Sequence, residues 1–483
     1  MNVAIEGAPR LPLCVDLDGT LIRGDTLHEQ LLRALIDRPI AALALPFVLL
    51  RGKAAFKRRL AEIAPIAAQS LPYQADLLEY LRSERDQGRT LVLATAADRS
   101  IAEAVAAHLG IFDRAVGSDG VSNLKGATKA ERLTALYGAG GFAYAGNSRA
   151  DVPIWQKAGE VLLVNVPRSL DAEMATVVPA ALRFGRAAPS PLRSLVKAMR
   201  VYQWVKNVLV FVPMLLAHAL LRPGVVGASV LAFLAFSLTA SGIYIVNDLL
   251  DLESDRAHPR KRRRPFASGD LPLTYGAAGP ALVALGLGLA WTAVSYETCV
   301  MLLGYLVVTT AYSTYLKRQP LIDVFTLAGL YSLRVLTGGV ATGIHVSVWL
   351  LGFSSFVFLS LALLKRVSEL KAAAVNLRRG YQLADLDLLQ TMGVGSAFTA
   401  SVVLSLYLNT DAARALYAAP AWLWLIVPLQ LFAQCRLWLS AGRGYMTDDP
   451  IVYALKDRVC WLVFACVGVI FMLATKGPHL SWL

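Results

Sequence analysis

The sequence has little charge for its length, because only 17% of its 483 residues are Asp, Glu, Lys or Arg while 56% are hydrophobic. This balance excludes an ordinary soluble protein. The 5 cysteines have neither disulfide nor zinc spacing, which predicts buried free thiols. We expect no signal peptide, since the first apolar run ends in acidic residues at Asp16 and Asp18. The first domain should therefore be cytoplasmic.

Long apolar runs fill the second part of the chain. They predict about nine transmembrane helices, at about 207–222, 224–246, 274–293, 298–316, 322–343, 347–364, 391–409, 419–435 and 458–475. The chain has a net charge of +13, and most lysines and arginines of its second part lie in the loops 247–273, 317–321, 365–390 and 436–457. By the positive-inside rule these loops are cytoplasmic. Anionic lipids and substrates explain the positive charge better than nucleic acid, which is not an expected partner.

The first part of the chain, 1–186, alternates short apolar runs with helical patterns. Strands are expected at 11–17, Thr90–Ala94, Phe142–Ala145 and Val161–Asn165. This alternation predicts a doubly wound α/β domain with a parallel sheet. Residues 26–70 should form a helical cap, and within it the apolar stretch Pro39–Leu50 is interpreted as cap core rather than as a membrane-touching helix. A linker and an amphipathic helix at 187–206 lead into an all-α transmembrane domain at 207–483.

Two carboxylates, Asp16 and Asp18, stand on a tight turn at the end of the first strand. That position is where ligands bind in parallel sheets, and the pair suits phosphoryl transfer. Thr95, Lys129 and Asp151 follow later strands in turn. Together these residues resemble the haloacid dehalogenase-like hydrolases with a cap of the phosphoserine phosphatase type.

That resemblance implies a role for each residue. Asp16 would be the nucleophile and Asp18 the general acid/base, Thr95 and Lys129 would bind phosphate, and Asp151 would join Asp16 and Asp18 as magnesium ligands. This chain has an amide at position 147 where the family often has an acid. A degenerate domain kept for interaction is the alternative.

A row of polar side chains directly follows the second expected span. Asn247, Asp251 and Asp255 are four residues apart and Asp248 lies three before Asp251, so a continuing helix places them on one face. Hard oxygen ligands at a membrane surface suit magnesium bound with a diphosphate. The basic run 260–264 then offers further contacts to phosphate oxygens, although it also serves as a positive-inside anchor.

This second part resembles the UbiA superfamily of intramembrane prenyltransferases, whose first aspartate-rich motif matches 247–255. The expected second motif is reduced to Asp323, which has no neighbouring carboxylate. Several local motifs resemble instead the polyprenyl-phosphate phosphoribosyltransferase branch. They include Tyr312–Lys317, Arg334 within an apolar helix, and Asp448-Asp449-Pro450.

The resemblance implies a magnesium-dependent transfer of 5-phosphoribose from phosphoribosyl diphosphate to a polyprenyl phosphate. The fused phosphatase would then remove the 5-phosphate. The expected phosphate-binding residues of the membrane domain are Lys206, Arg262, Arg264, Lys317, Arg334, Lys365 and Arg443. The expected substrate-binding residues are Asn207, Tyr312 and Asp323. An aromatic prenyltransferase using polyprenyl diphosphate and a non-catalytic transporter or scaffold are the alternatives, and the oligomeric state stays open.

Overall fold

The computed structural model describes residues 10–185, 189–372, 380–446 and 449–476. Asp448 of the last sequence motif and part of the basic loop 365–390 lie outside these ranges. The chain forms two compact units. The first contains the residues up to Met199 together with Tyr244–Gly279, and the second contains Arg200–Ile243 with the residues from Pro280 onward. The segment that carries the aspartate row therefore belongs to the same unit as the phosphatase-like domain.

The first unit is built on a six-stranded parallel sheet with strand order β3-β2-β1-β4-β5-β6. The strands are β1 (Leu13–Val15), β2 (Leu91–Asp98), β3 (Arg114–Ser118), β4 (Ala143–Gly146), β5 (Glu160–Val164) and β6 (Leu182–Phe184). Side chains from alternate strand positions form one apolar core on each face of the sheet. A sheet buried on both faces explains the nearly continuous apolar runs. The doubly wound fold that the sequence predicted is confirmed.

Helices cover both faces of this sheet and form the cap. Outside the cap they are Ala75–Asp86, Arg99–Leu109, Ala127–Tyr137, Val152–Trp155, Arg168–Val177 and Pro191–Ala198. The cap consists of Thr26–Asp37, Pro39–Ala42, Leu45–Leu49 and Lys53–Ile63, with a short 3-10 turn at Ala68–Ser70. Asp25 caps the first of these helices, because its side chain accepts hydrogen bonds from two backbone N–H groups of the first turn.

The apolar stretch of the cap has two faces of different character. Ala42 and Leu45 are buried in the small cap core, as the sequence predicted. In contrast, Ile40, Leu43 and Phe47 are largely exposed. The prediction of cap core therefore holds for only one side of this stretch.

Seven helices in the described ranges are long and apolar enough to cross a membrane. They are Pro223–Leu250, Leu273–Val294, Ile322–Thr342, Val348–Lys371, Leu383–Leu408, Pro420–Gly442 and Arg458–Lys476. The apolar segment expected at 298–316 is the helix Tyr296–Thr314, and it is not among the seven. The remaining expected span is the shorter apolar segment Val201–Leu216.

This shorter segment differs from a regular transmembrane helix for a local reason. Val201–Phe211 is a 3-10 helix, and a five-residue α-helix with Pro213 in its first turn follows it. The segment packs closely on the helix Ile322–Thr342. A Cβ added to Gly338 of that helix would lie 2.0 Å from the carbonyl oxygen of Val210. Only glycine allows this close backbone approach.

Candidate active sites

The turn after β1 carries the first cluster of candidate catalytic side chains. Lys129 Nζ donates a 2.9 Å hydrogen bond to Asp16 Oδ1 and a 3.0 Å bond to the hydroxyl of Tyr144. That hydroxyl donates in turn to Asp151 Oδ1 at 3.0 Å. The structure thus joins three residues singled out in the sequence, Asp16, Lys129 and Asp151, through Tyr144. Sequence reasoning missed Tyr144, because in β4 it reads as an ordinary core aromatic.

The pKa values of both aspartates of the turn are raised, and burial is the first cause for each. Burial, partly offset by the charge of Lys129 and reinforced by Asp151, raises the pKa of Asp16. Burial and then the negative charge of Asp25 raise the pKa of Asp18 to about 7. Asp18 is fixed by Thr26, whose backbone N–H donates to Oδ1 at 2.7 Å. A carboxyl group that holds its proton near neutrality is suited to act as an acid.

The end of β2 and the cap meet on one side of this cluster. Thr95 is buried in β2, which continues to Asp98 rather than ending at Ala94. From the cap, Lys57 Nζ donates to the carbonyl oxygen of Ala96 at 2.6 Å and to Asn123 Oδ1 at 2.9 Å. Burial lowers the pKa of Lys57, while Asp18 and Asp25 oppose this shift. Lys57 therefore brings a positive charge from the cap toward the aspartates. No sequence motif singled out this lysine.

The turn after β4 supports a magnesium site by its donor chemistry. Asp151 Oδ2 accepts hydrogen bonds from the backbone N–H groups of Asn147 and Ser148 at 3.1 and 2.9 Å. Asn147 packs on Gly19 so tightly that an added Cβ there would lie 2.0 Å from its amide nitrogen. Two aspartates on one turn and a third across the sheet edge are the hard oxygen donors that Mg²⁺ prefers. Their residue types fit the metal.

The aspartate row forms the second candidate site. Its backbone follows the helix Pro223–Leu250 into the short helix Leu252–Ala257, with Asp251 between them. The N–H of Asp251 donates to Asn247 O at 2.9 Å, and the N–H of Asp255 donates to Asp251 O at 2.8 Å. The four-residue repeat of hydrogen bonds thus persists across the boundary. The row continues on one helical face, as its spacing predicted.

Arg264 joins two members of this row. Its Nη1 donates to Asp248 Oδ1 at 3.1 Å and also to Asp255 Oδ2. Both carboxylates are buried. Within the described ranges Asp255 Oδ1 is buried without a hydrogen-bond partner, and the ammonium of Lys261 lies 4.0 Å away. Burial raises the pKa of Asp255, against the attraction of Arg264.

Within the described ranges the row therefore has one buried oxygen, Asp255 Oδ1, that accepts no hydrogen bond. The described part of the chain holds no group of three His, Cys, Asp or Glu side chains arranged for a metal. Hard oxygen donors and an unpartnered buried carboxylate oxygen nevertheless fit a divalent cation. Arg262, also expected to bind phosphate, lies exposed beside this site in the basic run.

In the second unit, Arg334 lies buried among aromatic rings. Its Nε donates to Asn207 Oδ1 at 2.9 Å, so the structure brings these two predicted residues together. The guanidinium carbon lies 4.9 Å from the ring centre of Phe236, 5.3 Å from Tyr305 and 5.7 Å from Tyr331. Such cation–π contacts and the hydrogen bond to the side chain of Asn207 offset the cost of burying an arginine in an apolar helix.

Two further predicted cations meet at Asp449. Lys206 Nζ lies 2.7 Å and Lys365 Nζ 3.3 Å from Asp449 Oδ2. Burial alone would raise the pKa of Asp449, but the two lysines outweigh it and lower this pKa to about 2. Asp449 was noted in the sequence only as part of an acidic motif. The structure makes it the partner of both lysines.

The remaining predicted residues have varied surroundings. Asp323 is fully buried, 2.7 Å from Arg366 Nη2, and accepts a hydrogen bond from Tyr381. Because its side chain is fully buried, it has no surface in this conformation with which to contact a substrate. Arg366 compensates its buried charge. Lys317 and Tyr312 are half-buried near the end of the helix Tyr296–Thr314, and Arg443 is exposed after Ile426–Gly442.

Comparison with known proteins identifies the family. The model of the UbiA prenyltransferase family matches residues 209–449, and that of the haloacid dehalogenase-like hydrolases matches 13–156. The uncharacterized protein y4nM of Sinorhizobium fredii is 38% identical over an alignment of 480 residues that covers 96% of this chain and 91% of that protein. The chain belongs to the UbiA prenyltransferase family.

Relatives within the UbiA family include proteins with more specific names. The decaprenyl-phosphate phosphoribosyltransferase of Mycolicibacterium smegmatis is 34% identical over 293 residues, 57% of this chain and 91% of that protein. The nodulation protein NoeC of Azorhizobium caulinodans is 34% identical over 312 residues, 61% of this chain and 98% of that protein. This UbiA-family chain is therefore a multi-pass membrane protein with a haloacid dehalogenase-like N-terminal domain, and both family predictions are confirmed.

Proposed function

We propose that this UbiA-family protein transfers 5-phosphoribose from phosphoribosyl diphosphate to a polyprenyl phosphate. The observation that carries the proposal is the aspartate row, in which Arg264 joins the buried Asp248 and Asp255, and Asp255 Oδ1 accepts no hydrogen bond within the described ranges. Such a row suits a diphosphate bound with a divalent cation. Relatives named decaprenyl-phosphate phosphoribosyltransferase support phosphoribosyl diphosphate as the donor of the transferred group.

The transfer exchanges one bond at the anomeric carbon of ribose. An oxygen of the lipid phosphate forms a bond to this carbon, and the carbon–oxygen bond to diphosphate breaks. Magnesium held by Asp248, Asp251 and Asp255 would neutralise part of the charge on the diphosphate. Arg264 and the exposed Arg262 would pair with phosphate oxygens, and their positive charge lets two anions approach each other.

We propose that the haloacid dehalogenase-like domain removes the 5-phosphate from the resulting lipid. Asp16 would attack the phosphorus atom while Lys129 stabilises the phosphate charge. Asp18 would give its proton to the departing ribose oxygen, and water would then hydrolyse the aspartyl phosphate. The hydrogen-bonded set of Asp16, Lys129, Tyr144 and Asp151 supports this step. We also propose that both sites face the cytoplasm, because the sequence places most lysines and arginines of the second part in loops that the positive-inside rule assigns to that side.

The test uses the purified full chain with phosphoribosyl diphosphate, polyprenyl phosphate and magnesium. Mass spectrometry of the lipids should show polyprenylphosphoryl ribose from the wild type. Asp16→Asn should accumulate the 5-phosphorylated lipid, because it removes the nucleophile with little change of shape. Asp251→Ala should give neither lipid but still hydrolyse a small phosphate ester.

Two outcomes would contradict the proposal. Transfer from polyprenyl diphosphate to an aromatic acid, with no ribosyl lipid, would establish the prenyltransferase alternative. An identical ratio of the two lipids in wild type and Asp16→Asn would mean that the soluble domain acts on another phosphate ester.

A further inference from the structure

The cap of the soluble domain carries an exposed apolar surface. We call it the cap patch and define it by Ile40, Leu43, Phe47 and Leu50, which are 85%, 75%, 73% and 86% exposed. These residues lie on and beside two short helices whose inner residues, Ala42 and Leu45, pack in the cap core. Single exposed hydrophobic residues are normal on a protein surface, whereas a contiguous group of this size marks an interaction site.

The charges within the segment that carries the cap patch are positive, although the exposed Asp37 directly precedes it. Between Arg38 and Arg59 the sequence contains six lysine or arginine residues and no aspartate or glutamate. Arg38, Arg51 and Lys53 flank the patch and are exposed. Bulky apolar side chains bordered by cations are typical of segments that lie in the headgroup region of a bilayer. Each such cation is also attracted to anionic lipids.

We propose that the cap patch inserts its four apolar side chains into the surface of an anionic bilayer. The occupant is the bilayer because the described ranges contain seven helices long and apolar enough to span one, so the soluble domain is tethered to a lipid surface. The apolar stretch is too short to cross the membrane, and its exposed side fits a shallow, in-plane contact.

Docking of the patch would also affect the phosphatase-like site. The patch continues through Arg51 and Gly52 into the cap helix Lys53–Ile63, which carries Lys57. Lys57 reaches the carbonyl oxygen of Ala96 at the edge of that site. A bilayer that holds the patch would therefore hold this helix in a defined position. Phosphate esters embedded in the same bilayer would then be favoured over those in solution.

The test measures contact between the patch and lipid acyl chains in the full-length protein. Cys435 and Cys466 are replaced by serine, and an environment-sensitive fluorophore is attached through Phe47→Cys. The matched control is Ser83→Cys, on an exposed position of the helix Ala75–Asp86. Both proteins are placed in nanodiscs of phosphatidylcholine with phosphatidylglycerol, with and without nitroxide groups on the acyl chains.

We expect the acyl-chain nitroxides to quench the fluorescence of the label at position 47 at least about three times as strongly as that of the label at position 83. Nanodiscs of phosphatidylcholine alone, or high salt, should reduce this difference, because part of the attraction is electrostatic. In the same label background, Leu43→Ser with Leu50→Ser should also reduce it. These exposed residues contribute little to the cap core, so this variant should keep the melting temperature of its parent.

Two results would overturn the proposal. Equal quenching at positions 47 and 83 would show that the patch does not enter the bilayer. A label at 47 that is shielded from water, unquenched by lipid nitroxides and dependent on protein concentration would assign the patch to a second copy of the chain.

Discussion

The buried ion pair between Arg256 and Glu29 provides the sharpest prediction for stability. Arg256 Nη1 donates to both carboxylate oxygens of Glu29, at 2.9 and 3.0 Å, and also lies 3.3 Å from Ser70 O. The two side chains are only 8% and 2% exposed. The pair joins the cap helix Thr26–Asp37 to the helix Leu252–Ala257, whose Asp255 belongs to the aspartate row.

The expected loss follows from leaving Glu29 buried without its main partner. Removing one member of a buried ion pair typically costs about 3–5 kcal/mol. Arg33 Nη2 lies 3.6 Å from Glu29 Oε1 and would compensate in part, so we expect the lower end of this range. For a unit of this size, about 3 kcal/mol corresponds to a fall in melting temperature of about 6–12 °C.

The measurement compares Arg256→Met with Arg260→Met, an exposed arginine of the same segment. Arg256→Met should lower the melting temperature and speed hydrogen exchange in both helices that the pair joins, whereas Arg260→Met should change neither. Exchanging the charges, with Glu29→Arg and Arg256→Glu together, should restore part of the loss. The reasoning would be refuted if Arg256→Met had the melting temperature and hydrogen exchange of the wild type. It would also be refuted if the charge-swapped double variant were no more stable than the less stable of its two single variants.

Three further predictions concern single side chains near the candidate sites. Lys57→Met should raise KM for phosphate ester hydrolysis by about tenfold, more than it lowers kcat, because the cap supplies the charge of Lys57. Steady-state kinetics would compare it with Arg58→Met, a change at the exposed neighbouring residue, and equal KM values in the two variants would contradict the prediction. Arg334→Lys keeps the charge but loses the planar stacking, so lipid transfer should fall by about tenfold or more while the melting temperature stays within a few degrees; full activity would assign Arg334 a purely electrostatic role. The folded pKa of Asp449, about 2, is below its unfolded value of about 3.9, so its stabilisation should be present above about pH 4 and disappear as the pH falls toward 2. Melting of Asp449→Asn should accordingly approach that of the wild type as the pH falls, and a constant difference would contradict the assigned ion pairs.

The sequence predicted features whose cause is local. The turn after β1 follows from a buried strand that ends in Asp-Leu-Asp-Gly, and the aspartate row follows from a four-residue spacing on a helix. The sequence did not indicate the strands Arg114–Ser118 and Leu182–Phe184, because the first has few apolar residues and the second has only three residues in all. Their pairing with neighbouring strands, rather than their composition, makes them part of the sheet.

Features that depend on distant partners could not be predicted. Asp449 meets lysines that are 84 and 243 positions away in the sequence, and Arg256 meets Glu29 across 227 positions. No spacing rule applies over such distances. Lys57 was missed for the same reason, since only the packing of the cap on the sheet directs it toward the aspartates. Seven of the nine expected spans are, within the described ranges, helices long and apolar enough to cross a membrane. Of the other two, Val201–Phe211 is a 3-10 helix and Tyr296–Thr314 is not among the seven.

The discontinuous first unit has a consequence for the order in which the protein is made. The last strand of its sheet ends at Phe184, but Arg256, which neutralises the buried Glu29, is synthesised 72 residues later, from 184 to 256. Between them the ribosome synthesises Val201–Leu216 and the whole of the long apolar helix Pro223–Leu250. Until then Arg33, in the same cap helix, is the cation beside Glu29. We therefore expect the cap of the first unit to reach its full stability only after this apolar stretch has been synthesised.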